Sequence, residues 1–497
     1  MAQRTPPPAN WNLAEVELWI ISQAKQLANQ SDISPSIDLF SQGFNSTSAV
    51  LLHLRIIDAL RSSGAAGIES ATRALSHNLV YSYPVIQDLA AYVVSFAASP
   101  EDAQREHVSW RTAQMEAIIE KYTKGLQRNY GSSGYPPTTA PVVLLAGSTG
   151  NLGVHILAKL LQDSRVEQVL VTNLPVKGTQ TVKEQHIKEF EDSGLDPTLL
   201  ESEKLIFLRG DISQSNLGLD RGQYGLVCRS VNIVIHNAWL PELNLTPVAF
   251  ELLIQGMRHL IDIVKTGANA STARFVFVSS VIAVQSWDAS RGLVPEDVVD
   301  DASVAVGLGY GEAKYVAERV VAKSGLSSIS VRVDYISEAQ ITITSPTKEW
   351  FPILLKSSIT LGSLPQANEV APLTSVEDTA TSIVNVALHH TALPRALNLV
   401  HHHPKMWNDV IKQLQSLIKE STGKDLTLVP FEEWMVKIEE LAAGATAQTL
   451  ETIPALEILE FFRGALRGTG VGPLSAGPAS FTTTEAQRVS DVTAATD

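Results

Sequence analysis

From Pro141 onward, short β-branched runs alternate with helical stretches. The runs are Val142-Val-Leu-Leu145, Val169-Leu-Val171, Ile233-Val-Ile235, Phe275-Val-Phe-Val278 and Ile329-Ser-Val331. Each is apolar without interruption, so each strand must be covered on both sides. Strands of that kind separated by helices predict a parallel sheet with helices on both faces, a doubly wound α/β fold over residues 141–467.

The rest of the chain has a different texture. Over 10–97, Leu13, Val16 and Ile20, then Val50, Leu54 and Ile57, recur at steps of three and four with no alternating pattern, which predicts a small all-α bundle. Residues 98–140 read as a linker. They hold Ser99-Pro100, an amphipathic helix with Met115, Ile118, Ile119 and Tyr122 on one side, and a Gly131 to Pro137 stretch. Residues 468–497 are rich in Gly, Ser, Thr and Ala and predict a disordered tail.

Composition excludes several classes. Lys plus Arg total 38 against 52 Asp plus Glu, a net charge of −14, so no overall positive field draws the chain to nucleic acid or anionic lipid. No secretory h-region precedes residue 11 and no apolar run is long enough to span a membrane, which predicts a soluble, cytoplasmic protein. A lone cysteine, Cys228, rules out a disulfide framework and reads as a small buried residue. The His401–His403 tract, with His389 and His390, is a bare run without ligand spacing, so it reads as an exposed loop and no metal is expected. Trp407 and Trp434 read as packing residues.

Two constellations carry chemistry. The first strand runs into Gly147, Ser148, Thr149, Gly150, Asn151, Leu152 and Gly153, then an apolar helix. A pyrophosphate needs backbone approach without Cβ atoms in the way and the N–H donors of a helix start, so this loop is the candidate dinucleotide site. Asp211, after Gly210, and Asn237, within His236-Asn-Ala238, end later strands where a ligand crevice would lie; each reads equally well as a turn. In the second constellation, Tyr310 and Lys314 stand four residues apart on one helix face. A nearby ammonium favours phenolate and lowers the Tyr pKa from about 10, which suits proton exchange with a carbonyl oxygen. Ser279 and Ser280 end the preceding strand, and their hydroxyls could hold the same carbonyl.

These residues resemble the extended short-chain dehydrogenase/reductase superfamily, with its Rossmann-type sheet. His236-Asn-Ala-Trp239 with Asn244, Tyr310 to Glu318, Glu349-Trp-Phe-Pro352, Ser357 to Gly362 and Leu364-Pro365 resemble the terminal thioester reductase domains of fungal nonribosomal-peptide-synthetase-like and aminoadipate-reductase-type enzymes, over about Trp110 to Arg467. The resemblance implies NADPH at Gly147, Gly150 and Gly153. It implies a triad of Ser280 (rather than Ser279), Tyr310 and Lys314, and a substrate lobe after about Pro346. Two stretches depart from the family pattern. Thr172-Asn-Leu-Pro175 lacks the usual arginine for the 2′-phosphate, with Lys177 or Lys183 as substitutes, and Asp334-Tyr335-Ile336 replaces Gly-Gln-Ile.

In the bundle, Asp38 to Ser46 followed by a helix resembles an acyl or peptidyl carrier domain. This makes Ser46 the expected 4′-phosphopantetheine attachment site, although Asn45-Ser-Thr47 replaces the family's Asp-Ser-Leu; without modification Ser46 would be a helix N-cap. The implied function is NADPH-dependent reductive release of a tethered acyl or peptidyl thioester to an aldehyde, or further to an alcohol, in secondary metabolism. A phosphopantetheinyl transferase and an upstream synthetase or synthase would be partners, since no adenylation domain precedes residue 11. The competing readings are a redox-inert Dieckmann-type cyclising domain and a non-catalytic carrier and nucleotide-binding protein.

Overall fold

The computed structural model describes residues 6–64, 67–72, 75, 78–126, 140–173, 181–240, 242–243, 251–337, 349–369, 371, 373–400, 406–442, 444–459, 461–463 and 481–490. Lys177, Asn244, Pro346, His401–His403 and the Gly131 to Pro137 stretch lie outside them. Five helices form the N-terminal bundle: α1 (Leu13–Ala28), α2 (Ser46–Ser62), α3 (Ile68–Thr72), α4 (Leu79–Ser82) and α5 (Ile86–Ala98). They share a core of their own that includes Val16, Ile20, Leu52, Ile56, Leu89 and Phe96. A long helix follows, α6 (Pro100–Thr123).

The α/β unit then alternates strand and helix: β1 (Val142–Ala146), α7 (Asn151–Gln162), β2 (Gln168–Asn173), α8 (Val182–Asp192), β3 (Leu205–Arg209), α9 (Arg221–Ser230), β4 (Ile233–His236), α10 (Glu251–Thr266), β5 (Arg274–Ser280), α11 (Gly309–Ala322) and β6 (Ser327–Val333). The lobe beyond contains β7 (Tyr335–Ser337), α12 (Trp350–Leu361), β8 (Ser363–Gln366), β9 (Leu373–Ser375), α13 (Val376–Leu388), β10 (Ala396–Leu399), α14 (Trp407–Thr422), β11 (Thr427–Pro430), α15 (Phe431–Ala442) and α16 (Ala447–Thr452). A last helix, α17, spans Thr484–Val489.

Seven parallel strands lie in the order β10-β6-β5-β4-β1-β2-β3. The strand order reverses between β1 and β4, and in open sheets of this kind ligands bind outside the carboxyl ends at that switch point. Along β1, successive side chains enter opposite layers: Val142, Leu144 and Ala146 join one core, Val143 and Leu145 the other. Both faces are therefore buried, as the uninterrupted apolar runs require.

Three sequence expectations fail here. The helix expected in a linker is part of the α/β core, because Met115, Ile119, Tyr122 and Leu126 pack with Leu144, Phe275 and Val316. The expected floppy tail is docked over 481–490. Phe481 bridges to Val294 and joins one sheet layer, Ala486 and Val489 join the other, and the Glu296 carboxylate accepts the N–H groups of Glu485 (2.6 Å) and Ala486 (2.8 Å) at the start of α17. Average composition hides these few anchoring residues. Cys228 is half-buried rather than buried. Trp407 and Trp434 are packing residues, donating to Pro365 O (2.8 Å) and Ser358 Oγ (3.0 Å) inside the lobe. Among the described residues no helix is long and apolar enough to cross a membrane.

Candidate active site

The glycine loop connects β1 to α7 at the switch point. Gly147 has φ +86°, a conformation that L side chains rarely adopt, and a Cβ there would lie 2.5 Å from the Ala238 nitrogen. A Cβ on Gly153 would lie 2.0 Å from the Gly147 carbonyl oxygen, so only glycine lets the helix close on the loop. Gly150, by contrast, faces open space and caps α7. One glycine for the turn, one for close approach and one for helix packing is the arrangement that fits a dinucleotide pyrophosphate. Asn237 braces the turn, donating through Nδ2 to the Gly147 carbonyl (3.0 Å).

Two side chains of the loop turn inward. Leu152 packs in the core below, and Ser148 is fully buried against His186. His186 Nδ1 lies 2.7 Å from the Val182 carbonyl, which can only accept, so Nδ1 carries the proton and the neutral ring's Nε2 accepts from the Ser148 hydroxyl at 2.9 Å. Burial pushes the His186 pKa down, in keeping with a neutral ring. Only the backbone of Ser148 and Leu152 is left to face a ligand. Asp211 is used locally, its Oδ1 accepting the Ser213 N–H (2.9 Å) and hydroxyl (2.6 Å).

At the carboxyl ends of β5 and β6 the second constellation assembles. Strand alternation sends Ser279 and Ser280 to opposite sides. The Ser279 hydroxyl donates to Glu318 (2.5 Å), which is itself buried and ion-paired with Arg332 (2.7 Å), so Ser279 belongs to a structural network. Ser280 accepts a long bond from the Ile282 N–H, 3.3 Å, and begins the turn after β5. Lys314 donates to the Val278 carbonyl (2.7 Å), two residues before Ser280. Its ammonium sits 5.5 Å from the ring centroid of Tyr310 and 4.5 Å from that of Trp239. Ser280, Tyr310 and Lys314 are thus gathered at one strand end.

The electrostatics differ from the sequence expectation. Burial, with the Glu349 carboxylate adding to it, raises the Tyr310 pKa instead of lowering it. Burial also brings Lys314 down to about 7, against the pull of Glu318. With its pKa raised, the Tyr310 phenol stays protonated near neutral pH. His236, buried at the end of β4, is brought down to about 3 by burial and by Lys314.

Three further residues lie near the crevice, two of them, Asp334 and Glu349, in stretches that the sequence had already singled out. Asp334 follows Val333, the register partner of Ser280, and burial raises its carboxyl to about 7 while the Tyr335 N–H donates to it at 2.8 Å. Glu349 receives the Tyr335 hydroxyl (2.7 Å). Arg209, exposed at the end of β3, stands in register with Asn173 at the end of β2; a cation directly before Gly210-Asp211 was the available sequence signal. Lys183, the expected substitute, is 2.8 Å from Glu201.

In the bundle, Asn45 caps α2 by accepting the Ser48 N–H (2.9 Å). Ser46 is the first helical residue and is exposed. His389 lies 2.8 Å from the Thr391 hydroxyl, with no group of metal-binding geometry among the described residues.

Residues 145–383 match the family described as "Male sterility protein". The chain is 38% identical over 479 residues to "Adenylate-forming reductase Nps9" of Serpula lacrymans var. lacrymans (strain S7.9), covering 93% of this chain and 43% of the relative. It is 27% identical over 465 residues to "Carboxylic acid reductase" of Neurospora crassa, covering 90% of this chain and 42% of that protein. The chain thus spans less than half the length of these relatives. In fold it is similar to the terminal R domain of the myxalamid PKS-NRPS pathway (TM-score 0.59, 20% identity, 76% of this chain and 91% of that one). It is also similar to a thiolation-reductase di-domain from an archaeal nonribosomal peptide synthetase (TM-score 0.60, 17% identity, 93% and 97%). Residues 145–383 are thus similar to the family described as "Male sterility protein", and the chain is similar over most of its own length to part of proteins named adenylate-forming reductases.

Proposed function

We propose that this chain reductively releases an acyl or peptidyl thioester carried on 4′-phosphopantetheine, with NADPH as reductant and an aldehyde as product. The observation that carries the reading is the convergence of Ser280, Tyr310 and Lys314 at the carboxyl end of β5, beside a glycine loop suited to a dinucleotide. NADPH, held by the backbone of Gly147 to Gly153, would supply hydride to the thioester carbon. Ser280 and Tyr310 bond the carbonyl oxygen, and the protonated phenol of Tyr310 gives its proton to the oxygen as charge develops there. Lys314, fixed to the Val278 carbonyl, orients Tyr310 and resupplies the proton. Collapse of the resulting hemithioacetal breaks the carbon–sulfur bond, and the departing thiolate takes up a proton as aldehyde leaves.

Arg209 is our candidate cation for the 2′-phosphate, since Lys183 is engaged with Glu201. Ser46 is our candidate attachment site. Its exposure, with the capping role taken by Asn45, supports an accessible hydroxyl. A phosphopantetheinyl transferase and an upstream synthetase or synthase would load it. Relatives named as reductases favour this reading over redox-inert cyclisation.

The test has two parts. Incubation with a phosphopantetheinyl transferase and coenzyme A should add one phosphopantetheine mass to the chain and none to Ser46→Ala. Tyr310→Phe should lower NADPH oxidation on acyl thioesters by about 100-fold or more while leaving NADPH binding intact. Retained turnover in Tyr310→Phe defeats the catalytic assignment, and an unchanged mass defeats the carrier assignment.

A further inference from the structure

We propose that Arg111, on the helix joining the N-terminal bundle to the sheet, is a positioning residue for Tyr310. The inference rests on the reading of Tyr310 as proton donor. Tyr310 occupies the first turn of α11, and the carboxylate of Glu312 holds that turn closed by accepting the Gly307 N–H at 3.1 Å. Glu312 is entirely buried, so its charge must be matched from within the protein. The match comes from 201 residues earlier in the chain: the guanidinium of Arg111, itself buried, donates through Nε (3.3 Å) and Nη2 to the two carboxylate oxygens. A forked cation on a buried carboxylate fixes direction as well as charge.

The guanidinium is in turn placed by the bundle. Trp110, the neighbouring residue, stacks on Tyr83 with centroids 4.9 Å apart and planes at 13°, and the Tyr83 hydroxyl lies 3.1 Å from His107 Nδ1. Lys314, one turn beyond Tyr310, is anchored separately to β5, and the glycine loop stands on β1 and α7. Loss of Arg111 leaves Glu312 buried without its cation, so the carboxyl must protonate or swing away and release Gly307. The disturbance falls on the phenol and spares the lysine and the dinucleotide loop.

The experiment uses the full chain with Arg111→Met and Arg111→Lys. Steady-state NADPH oxidation would be followed on benzoyl and hexanoyl thioesters of N-acetylcysteamine, NADPH affinity by fluorescence titration, and hydrogen exchange over 305–316. Arg111→Met should lower kcat by about 10-fold or more with NADPH affinity within about twofold, and should speed exchange over 305–316. Arg111→Lys, which keeps the charge and loses the fork, should fall between the two. An unchanged kcat, or unchanged exchange in that segment, overturns the proposal; if Arg111→Met does not fold, the same two readouts on Arg111→Lys decide. Tyr310→Phe run alongside separates the failures. Turnover retained in Tyr310→Phe removes the catalytic reading itself, whereas turnover lost there and kept in Arg111→Met removes only the role of Arg111.

Discussion

Adjacent serines at the end of β5 have different fates because a strand sends neighbours to opposite faces. Ser279 is consumed by Glu318 and Arg332, whereas Ser280 stays at the crevice. Asp334 sits in an environment at odds with a carboxylate's charge. Its carboxyl titrates near 7 because burial penalises the anion, and only the Tyr335 N–H opposes this. A raised native pKa means that the folded state binds more protons than the unfolded one between about 4 and 7. The contribution is favourable below pH 4 and is lost as pH rises through 7. Asp334→Asn should therefore flatten the stability profile over that interval, and at pH 8 it should be more stable than the parent by on the order of 1 to 4 kcal/mol. Urea melts at pH 5 and pH 8 measure this, and parallel profiles for the two proteins would contradict it.

Helix α6 and helix α17 make the same point from opposite ends of the chain. Each reads locally as weak: α6 is polar over much of its length, and α17 has six residues within a Gly, Ser and Thr-rich stretch. Each is held by a few side chains that meet the sheet layers, Met115 and Ile119 for α6, Phe481 and Ala486 for the tail. In folded proteins most helical stability comes from such tertiary contacts and little from intrinsic propensity. Phe481→Ala should cost about 3 kcal/mol, the usual range for emptying a buried aromatic site. It should also make the region after residue 480 sensitive to limited proteolysis under native conditions. Equal protease resistance in variant and parent would show that Phe481 does not anchor the tail.

At the scale of the whole molecule, bundle, sheet and lobe are not separable beads. Val50, Leu51 and Leu54, on the helix that begins at Ser46, pack into the lobe core with Leu308, Trp350 and Leu450, while α6 completes the sheet layer beneath Tyr310. A chain beginning at residue 141 would expose β-sheet surface that Met115, Ile119, Tyr122 and Leu126 now cover, each worth roughly 1.5–3 kcal/mol if fully buried. It should melt well below a chain beginning at residue 99, as scanning calorimetry would show; equal melting temperatures would mean that α6 is dispensable.

Short-range pattern was enough to reveal the parallel sheet, the glycine loop and the Tyr310–Lys314 pair, because strand burial, tight turns and helix-face spacing are set within about ten residues of chain. The choice of Ser280 over Ser279 came from the family resemblance, whereas the raised pKa of Tyr310, the ion pair of Arg111 with Glu312 and the docking of residues 481–490 were not legible there. Each depends on groups far apart in sequence meeting in a medium from which water has been removed. The strength of charge and hydrogen bonding in that medium is a property of the packed whole.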